Sequence, residues 1–268
     1  MSTDRVLVVV EPGIATTVQD HGRHGLAHLG IPPAGAVDPS LVALLNRLVG
    51  NPAGAAVLET VGNLVLEAGA DVTVSTSRHA APMALRPGQR VTVAAGGGRQ
   101  WHYLAVRGGI VTRPVLGSRS HDTLSGLGAT SVLAGVGLPI GAEPDDPIAD
   151  IAPIAPVDDV ARIGPGPRAD WFEGEPLRAL TASPLTVVAS SRVGVRLRAH
   201  GLVRVRTDEL PSEGLVRGAI QVPPDGDPIM MLADHPTTGG YPVVAVVHPD
   251  DVATIAQHPE GTAVRLKL

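Results

Sequence analysis

Pro228-Ile229-Met230-Met231-Leu232-Ala233 runs straight into Asp234-His235-Pro236-Thr237-Thr238-Gly239-Gly240-Tyr241-Pro242. A short apolar run bounded by turn residues reads as a strand buried on both faces. The proline, threonine and glycine residues after it read as the turn that ends the strand. Asp234 then stands at the end of rigid backbone, where a carboxylate is held in place. Thr237, Thr238, Gly239 and Gly240 in succession are expected to turn backbone N–H groups toward one point, an anion-binding nest. Gln221-Val222-Pro223-Pro224-Asp225-Gly226 lies shortly upstream and supplies an amide. A carboxylate, donors and a tyrosine on fixed backbone are the parts of a small-molecule site. The expected roles are Asp234 and Tyr241 in catalysis and Gln221 with Thr237 to Gly240 in substrate binding.

The same pattern of short apolar segments and turns extends along the chain. Val6–Val10, Leu64–Glu67, Val72–Ser75, Arg90–Ala94, His102–Val106 and Gly109–Val111 are each bounded by Gly, Pro or charged residues, as in a closed or sandwiched antiparallel sheet. Residues 11 to 37 show no clear period and read as a long functional loop. One helix is clear: Asp38 as N-cap, Pro39 at the first position, apolar residues from Leu41 to Val49, and Gly50 as the stop. Residues 142 to 160 carry Pro, Ala and acids without a base, and read as a linker or surface crossover. Beyond it, a helix is expected over Asp170–Leu180, with further strands and a short helix from Pro249 to Gln257. The expected class is mainly β, two β-barrel subdomains with a few short helices. Residues 1–150 would form the first, with loop 11–37 and helix 38–49, and 151–268 the second, carrying the Gln221 and Asp234–Pro242 motifs. A faint echo links Ile31-Pro32-Pro33-Ala34-Gly35 to Val222-Pro223-Pro224-Asp225-Gly226, and Asp20-His21-Gly22 to Asp234-His235.

Composition narrows the function. Aromatics are 2% of residues and the net charge is −5, which leaves little for stacking on bases or gripping phosphate backbone. The core must be built from Val, Leu, Ile and Ala. With no cysteine there is no disulfide and no thiolate site; this fits a cytoplasmic protein. No apolar stretch is long enough for a membrane span. Lys267 is the sole lysine, so a P-loop lysine and a biotin-acceptor lysine are absent, and anions must be held by Arg or backbone N–H.

Other polar motifs carry further candidates. Thr16-Thr17-Val18-Gln19-Asp20-His21-Gly22-Arg23 packs an acid, an amide and a base together, making Asp20 and Arg23 substrate-binding candidates or the internal ties of a wrapped loop. Arg107-Gly108-Gly109 and Gly117-Ser118-Arg119-Ser120 place two arginines on turns that could clamp a carboxylate or phosphate, with surface salt bridges as the alternative; for the substrate clamp the candidates are Arg119 and Arg192. Glu213 in Ser212-Glu213-Gly214 is a candidate general base or a turn cap. His21, His24 and His28 are interrupted by glycines and lack a carboxylate shell, so no metal site is expected. Gly96-Gly97-Gly98 lacks a following lysine or helix start and reads as a turn.

Taken together, these motifs resemble a known family. The carriers are Thr16 to Asp20, Gly30 to Pro39, Asn46 to Pro52, Ala105 to Ile110, Leu116 to Ser120, Gly166-Pro167 with Asp170-Trp171-Phe172, Gly218 to Pro223 and Asp234 to Pro242, in order along nearly the whole chain. The family is the allophanate hydrolase subunit 2 type, also called the biotin-dependent carboxyltransferase family, which includes the C-type subunit of 5-oxoprolinase. The chain departs from it at Ser191-Arg192-Val193-Gly194-Val195-Arg196-Leu197, where an acid and a tyrosine are usual, at Pro236 for Gln, and at His121 for Thr.

The resemblance implies cyclophilin-like β-barrels, a B-type partner protein in a hetero-oligomer and, for the stand-alone pair, a third chain of the A type. It implies an ATP-dependent complex that opens 5-oxoproline to glutamate, with ATP a substrate of the complex at a site unknown. A lactam needs its carbonyl activated before water attacks, and donors for the negative charge that develops. Two alternatives remain open. One is carboxyl transfer of the urea carboxylase/allophanate type, using biotin on another chain. The other is a regulatory antagonist of a histidine-kinase inhibitor.

Overall fold

Leu7 and Val9 are buried while their neighbours are half-buried along the strand Val6–Pro12, the period of two that a one-sided sheet needs. The computed structural model describes residues 5–79, 81–130, 132–206 and 208–268. They fall into two units. The first runs to Arg23 and resumes over Ala34–Pro156; the second holds His24–Pro33 and Val157–Leu268.

In the first unit one antiparallel sheet has the order Arg90–Val93, Leu64–Ala68, Val6–Pro12, Gly137–Pro139. The other has the order Ala15–Gln19, Val57–Val61, His102–Val106, Val72–Thr76, Met83–Leu85, also antiparallel. Leu7, Val9, Leu64 and Leu66 from one sheet share a core with Val18, Leu58, Val74 and Leu104 from the other. Each such side chain contributes about 1.5–3 kcal/mol on full burial. Val and Leu do build this core, as a chain so poor in aromatics requires.

The strand Ala15–Gln19 corrects the reading of residues 11 to 37 as wholly irregular. Thr16, Thr17, Val18 and Gln19 are all buried, so the strand shows no alternation. The clear helix is present over Pro39–Leu48: the Asp38 side chain accepts the Leu41 N–H at 3.0 Å, and Gly50 follows the end with φ 69°. The acid-rich stretch after residue 142 is tied to the first unit rather than free. Arg107 reaches Glu143 at 3.3 Å, and the Ala149 N–H reaches the Leu48 carbonyl at 3.1 Å.

The second unit closes into a barrel. Its order is Val160–Pro165, Val243–Val247, Ala219–Gln221, Ile229–Met231, Gly194–Arg198, Leu185–Ser190, Ala263–Lys267, and the last strand returns to the first through a parallel pairing. The class is therefore mainly β with a closed barrel and few short helices, and among the described residues closure belongs to the second unit. The run from Met230 to Ala233 is buried throughout. The helix expected over Asp170–Leu180 is instead a 3-10 turn, Ala169–Trp171, and a separate helix, Pro176–Thr181. Gly174 at φ 63° and Pro176 at the new helix start break the continuous helix.

Candidate functional site

In the second unit the apolar strand delivers Asp234 into the interior, not to a rim. The carboxylate is fully buried and accepts two parallel bonds from Arg192, from Nε to Oδ2 at 2.8 Å and from Nη2 to Oδ1 at 2.8 Å. The Asp234 N–H also donates to the Arg192 carbonyl at 3.0 Å. Asp234 and Arg192, expected to face a ligand, face each other. A bidentate, buried pair of this kind resists rearrangement, since separating it strands a charge.

The turn after Asp234 is also tied up, and it does not form the expected nest. Such a nest needs neighbouring residues of opposite backbone hand, and neither Gly239 nor Gly240 has a positive φ. Thr238–Gly239 instead pairs with Glu213–Gly214, and the Thr237 carbonyl accepts the Leu215 N–H at 2.9 Å. Gln221 is buried and donates to the Tyr241 carbonyl at 2.9 Å. A Cβ on Gly239 would stand 2.7 Å from the Gln221 amide nitrogen, so the amide would have to shift to admit one. Glu213 is held by Arg168, with Nε to Oε2 at 3.0 Å. That hydrogen bond and charge keep its carboxyl below the usual range, so it is an ion-pair acceptor and not a poised base. The Tyr241 side chain and Gly240 are exposed.

In the first unit a different arrangement surrounds Asp20. Its Oδ1 accepts the Gly22 N–H at 2.8 Å and the Ser120 hydroxyl at 2.6 Å, and the Ser118 hydroxyl as well; its Oδ2 accepts the Arg119 N–H at 2.6 Å. Burial pushes the carboxyl up, but these four neutral donors outweigh it and hold the group below its ordinary value. Asp20 therefore organises the turn that carries Arg119. Arg23 is buried beside the same segment, where Nε donates to the Val115 carbonyl at 3.4 Å and Nη2 to the Ser120 carbonyl.

The turn itself is strained. Leu116 has φ 52° and Gly117 φ 83°, and Val115 and Ser118 close over them through bonds of 2.8 and 3.2 Å. A left-handed leucine costs about 1–2 kcal/mol, and residues in such regions cluster at functional sites. Arg119 then lines a cleft of about 290 Å³ with Asn51, Ala56, Gly108, Ile110 and Val111. Asn51 fixes one wall: its Oδ1 accepts the Gly108 N–H at 2.8 Å and its Nδ2 donates to the Val106 carbonyl at 2.8 Å. Gly108 leaves no room for a Cβ, which would lie 2.3 Å from the Gly141 carbonyl.

The candidate residues thus fall into separate groups. Asp20, Arg23 and Arg119 surround one turn of the first unit. Asp234 with Arg192, and Gln221 with Gly239 and Tyr241, form two tied sets in the second. Asn51 received no role from the sequence; its place after the helix stop at Gly50 was the available signal. Among the described residues no three His, Asp or Glu side chains gather as a metal ion would need, and no helix is long and apolar enough to cross a membrane.

The family pattern described as carboxyltransferase domain, subdomain A and B, matches residues 29–268. The chain belongs to this family. It is 35% identical to the C-type subunit of 5-oxoprolinase from Escherichia coli (strain K12), over 97% of this chain and 90% of that protein. The crystal structure of TTHA0988 superposes with a TM-score of 0.89 at 33% identity, covering 100% of this chain and 57% of that one; this chain thus spans little more than half of it. The urea amidolyase of Lachancea kluyveri is 28% identical over 96% of this chain, which corresponds to 16% of that protein. Members of the family therefore include proteins named for 5-oxoproline and for urea.

Proposed function

We propose that the chain is the C-type subunit of an ATP-dependent 5-oxoprolinase complex, hydrolysing 5-oxoproline to glutamate together with partner chains of the B and A types. The observation that carries this reading is the 35% identity with the Escherichia coli C-type protein along 97% of the chain. Arg119 is assigned to substrate binding. Asp20 acts on the turn that bears it, and Arg23 braces the same turn. Thr238, Gly240 and Tyr241 are the exposed part of a second surface, whose shape Gln221, Thr237 and Gly239 fix from behind. Asp234 with Arg192, and Glu213 with Arg168, are the frame of that surface. ATP is proposed to bind on a partner, since the sequence has neither a P-loop lysine nor a glycine-rich loop entering a helix.

The test is co-expression with candidate partner chains and measurement of ATP-dependent glutamate release from 5-oxoproline. Release that requires this chain supports the proposal; release at the same rate without it refutes the proposal. A second reading, carboxyl transfer, is favoured by the family description and by the urea amidolyase match. The biotin would be carried on another chain, and the lone cation of the cleft suits the acidic group of either reaction. Avidin blotting of co-purifying partners separates the two: a biotinylated partner favours transfer, and its absence favours the lactam.

A further inference from the structure

Arg119 is the sole ionisable side chain among the described residues that line the 290 Å³ cleft of the first unit. Its guanidinium makes no hydrogen bond or ion pair among the described residues, and its Nε is buried without an acceptor. Arg119 is half-buried, but a buried Nε–H with no acceptor is costly, and an anion in the cleft would satisfy it. Around it the walls are apolar or spent: Pro52, Ala55, Ala56, Ile110 and Val111 offer little polarity, and Asn51 already uses its amide on Gly108 and Val106. One guanidinium against an apolar wall suits a single carboxylate on a small ring. A phosphate at neutral pH carries more charge than one guanidinium offsets, and no second cation is among the described residues that line the cleft. The volume lies at the lower end for small-molecule sites, about 300–1,000 Å³.

We infer that this cleft is a binding site for a small monocarboxylate, gripped by Arg119, and that Asp20 is the positioning residue that aims Arg119 into it. The inference rests on the proposed function only for the choice of 5-oxoproline as one probe. Asp20 works through backbone. Its two oxygens accept from two immobile N–H groups, Gly22 at 2.8 Å and Arg119 at 2.6 Å. Asparagine in its place has one acceptor oxygen, so its NH₂ must oppose one of those N–H groups. The Ser118 and Ser120 hydroxyls can rotate to adapt; the backbone donors cannot.

The experiment is calorimetric titration of the full chain with 5-oxoproline, its carboxamide, cyclopentanecarboxylate and inorganic phosphate. Wild type is expected to bind both carboxylates saturably and the carboxamide and phosphate at least tenfold more weakly. Arg119→Gln is expected to abolish carboxylate binding. Asp20→Asn is expected to weaken it about tenfold with the thermal midpoint held within a few degrees, a split that a merely structural role would not give. Cyclopentanecarboxylate separates this inference from the lactam reading: its binding stands even where no glutamate is released. No saturable carboxylate binding by wild type, tighter binding of phosphate, or an Arg119→Gln variant that binds as wild type would each overturn the cleft assignment. An Asp20→Asn variant with unchanged affinity would overturn the positioning role.

Discussion

Asp20-His21-Gly22 and Asp234-His235 echo each other in sequence, yet the two aspartates are solved in opposite ways. Asp234 is sealed against a cation, Arg192, with both oxygens paired at 2.8 Å. Asp20 is satisfied by neutral hydroxyl and backbone donors, which leaves the nearby arginine, Arg119, unspent. The first solution neutralises a charge and makes a frame. The second fixes a turn and leaves the Arg119 guanidinium without a partner among the described residues, the group proposed above to meet a ligand. The difference between the two acids lies in which donor each one consumes.

The largest effect that would break this comparison is at Asp234. Asp234→Ala strands Arg192 and is expected to cost about 3–5 kcal/mol in urea denaturation, while Arg192→Met combined with Asp234→Leu recovers much of the loss. A single variant no worse than the double one means the pair is not sealed. Asp20→Ala is expected to cost less, about 1–3 kcal/mol, because the donors it abandons are neutral and no charge is stranded. If the two alanine variants cost the same, the contrast between the regions fails.

Acid separates the groups further. Asp20 lies below its ordinary value of 3.8, so its contribution to stability is complete above that range and is lost only as pH falls through the lower folded value. His102 behaves differently. Burial and the cations Arg78 and Arg99 push it from 6.5 down to about 4, so it stays neutral in the fold. Its contribution is present above 6.5 and drains away as pH falls from 6.5 to about 4. Denaturation midpoints at pH 7, 5.5 and 4 should therefore fall in the wild type and fall less steeply in His102→Gln, with Asp20→Ala leaving the slope nearly unchanged in that window. His235, also pushed down by burial, adds a slope of the same sign in the second unit. The smallest effect is at Leu116, where glycine relieves a left-handed side chain but loosens the unfolded chain. The net gain is expected to be about 1 kcal/mol or less, read as a slightly raised thermal midpoint; a fall would mean that the exposed leucine is held by contacts.

Much of this was legible in the sequence. Asp38-Pro39 and Gly50 marked the helix because caps act locally, and the apolar run from Met230 to Ala233 was buried as its composition requires. The glycine-serine turn that carries Arg119 was recognisable, and the arginine lines the cleft; its action as a clamp is the proposal made above. The role of Asp20 was not, because its partners Ser118 and Ser120 lie about a hundred residues away along the chain. The strand Ala15–Gln19 was hidden because both its faces are buried. The turn from Thr237 to Gly240 misled for the opposite reason: its glycines permit a nest, but pairing with Glu213–Gly214 decides their backbone.

The most direct measurement is ATP-dependent glutamate release from 5-oxoproline by the co-expressed complex, with wild-type chain and with Arg119→Gln. A competent wild type and an assembled variant whose KM for 5-oxoproline rises roughly a hundredfold, in keeping with the ~2–5 kcal/mol lost when one member of a buried charge pair is removed, is the predicted result. An Arg119→Gln complex that turns over 5-oxoproline at the wild-type KM would contradict the account.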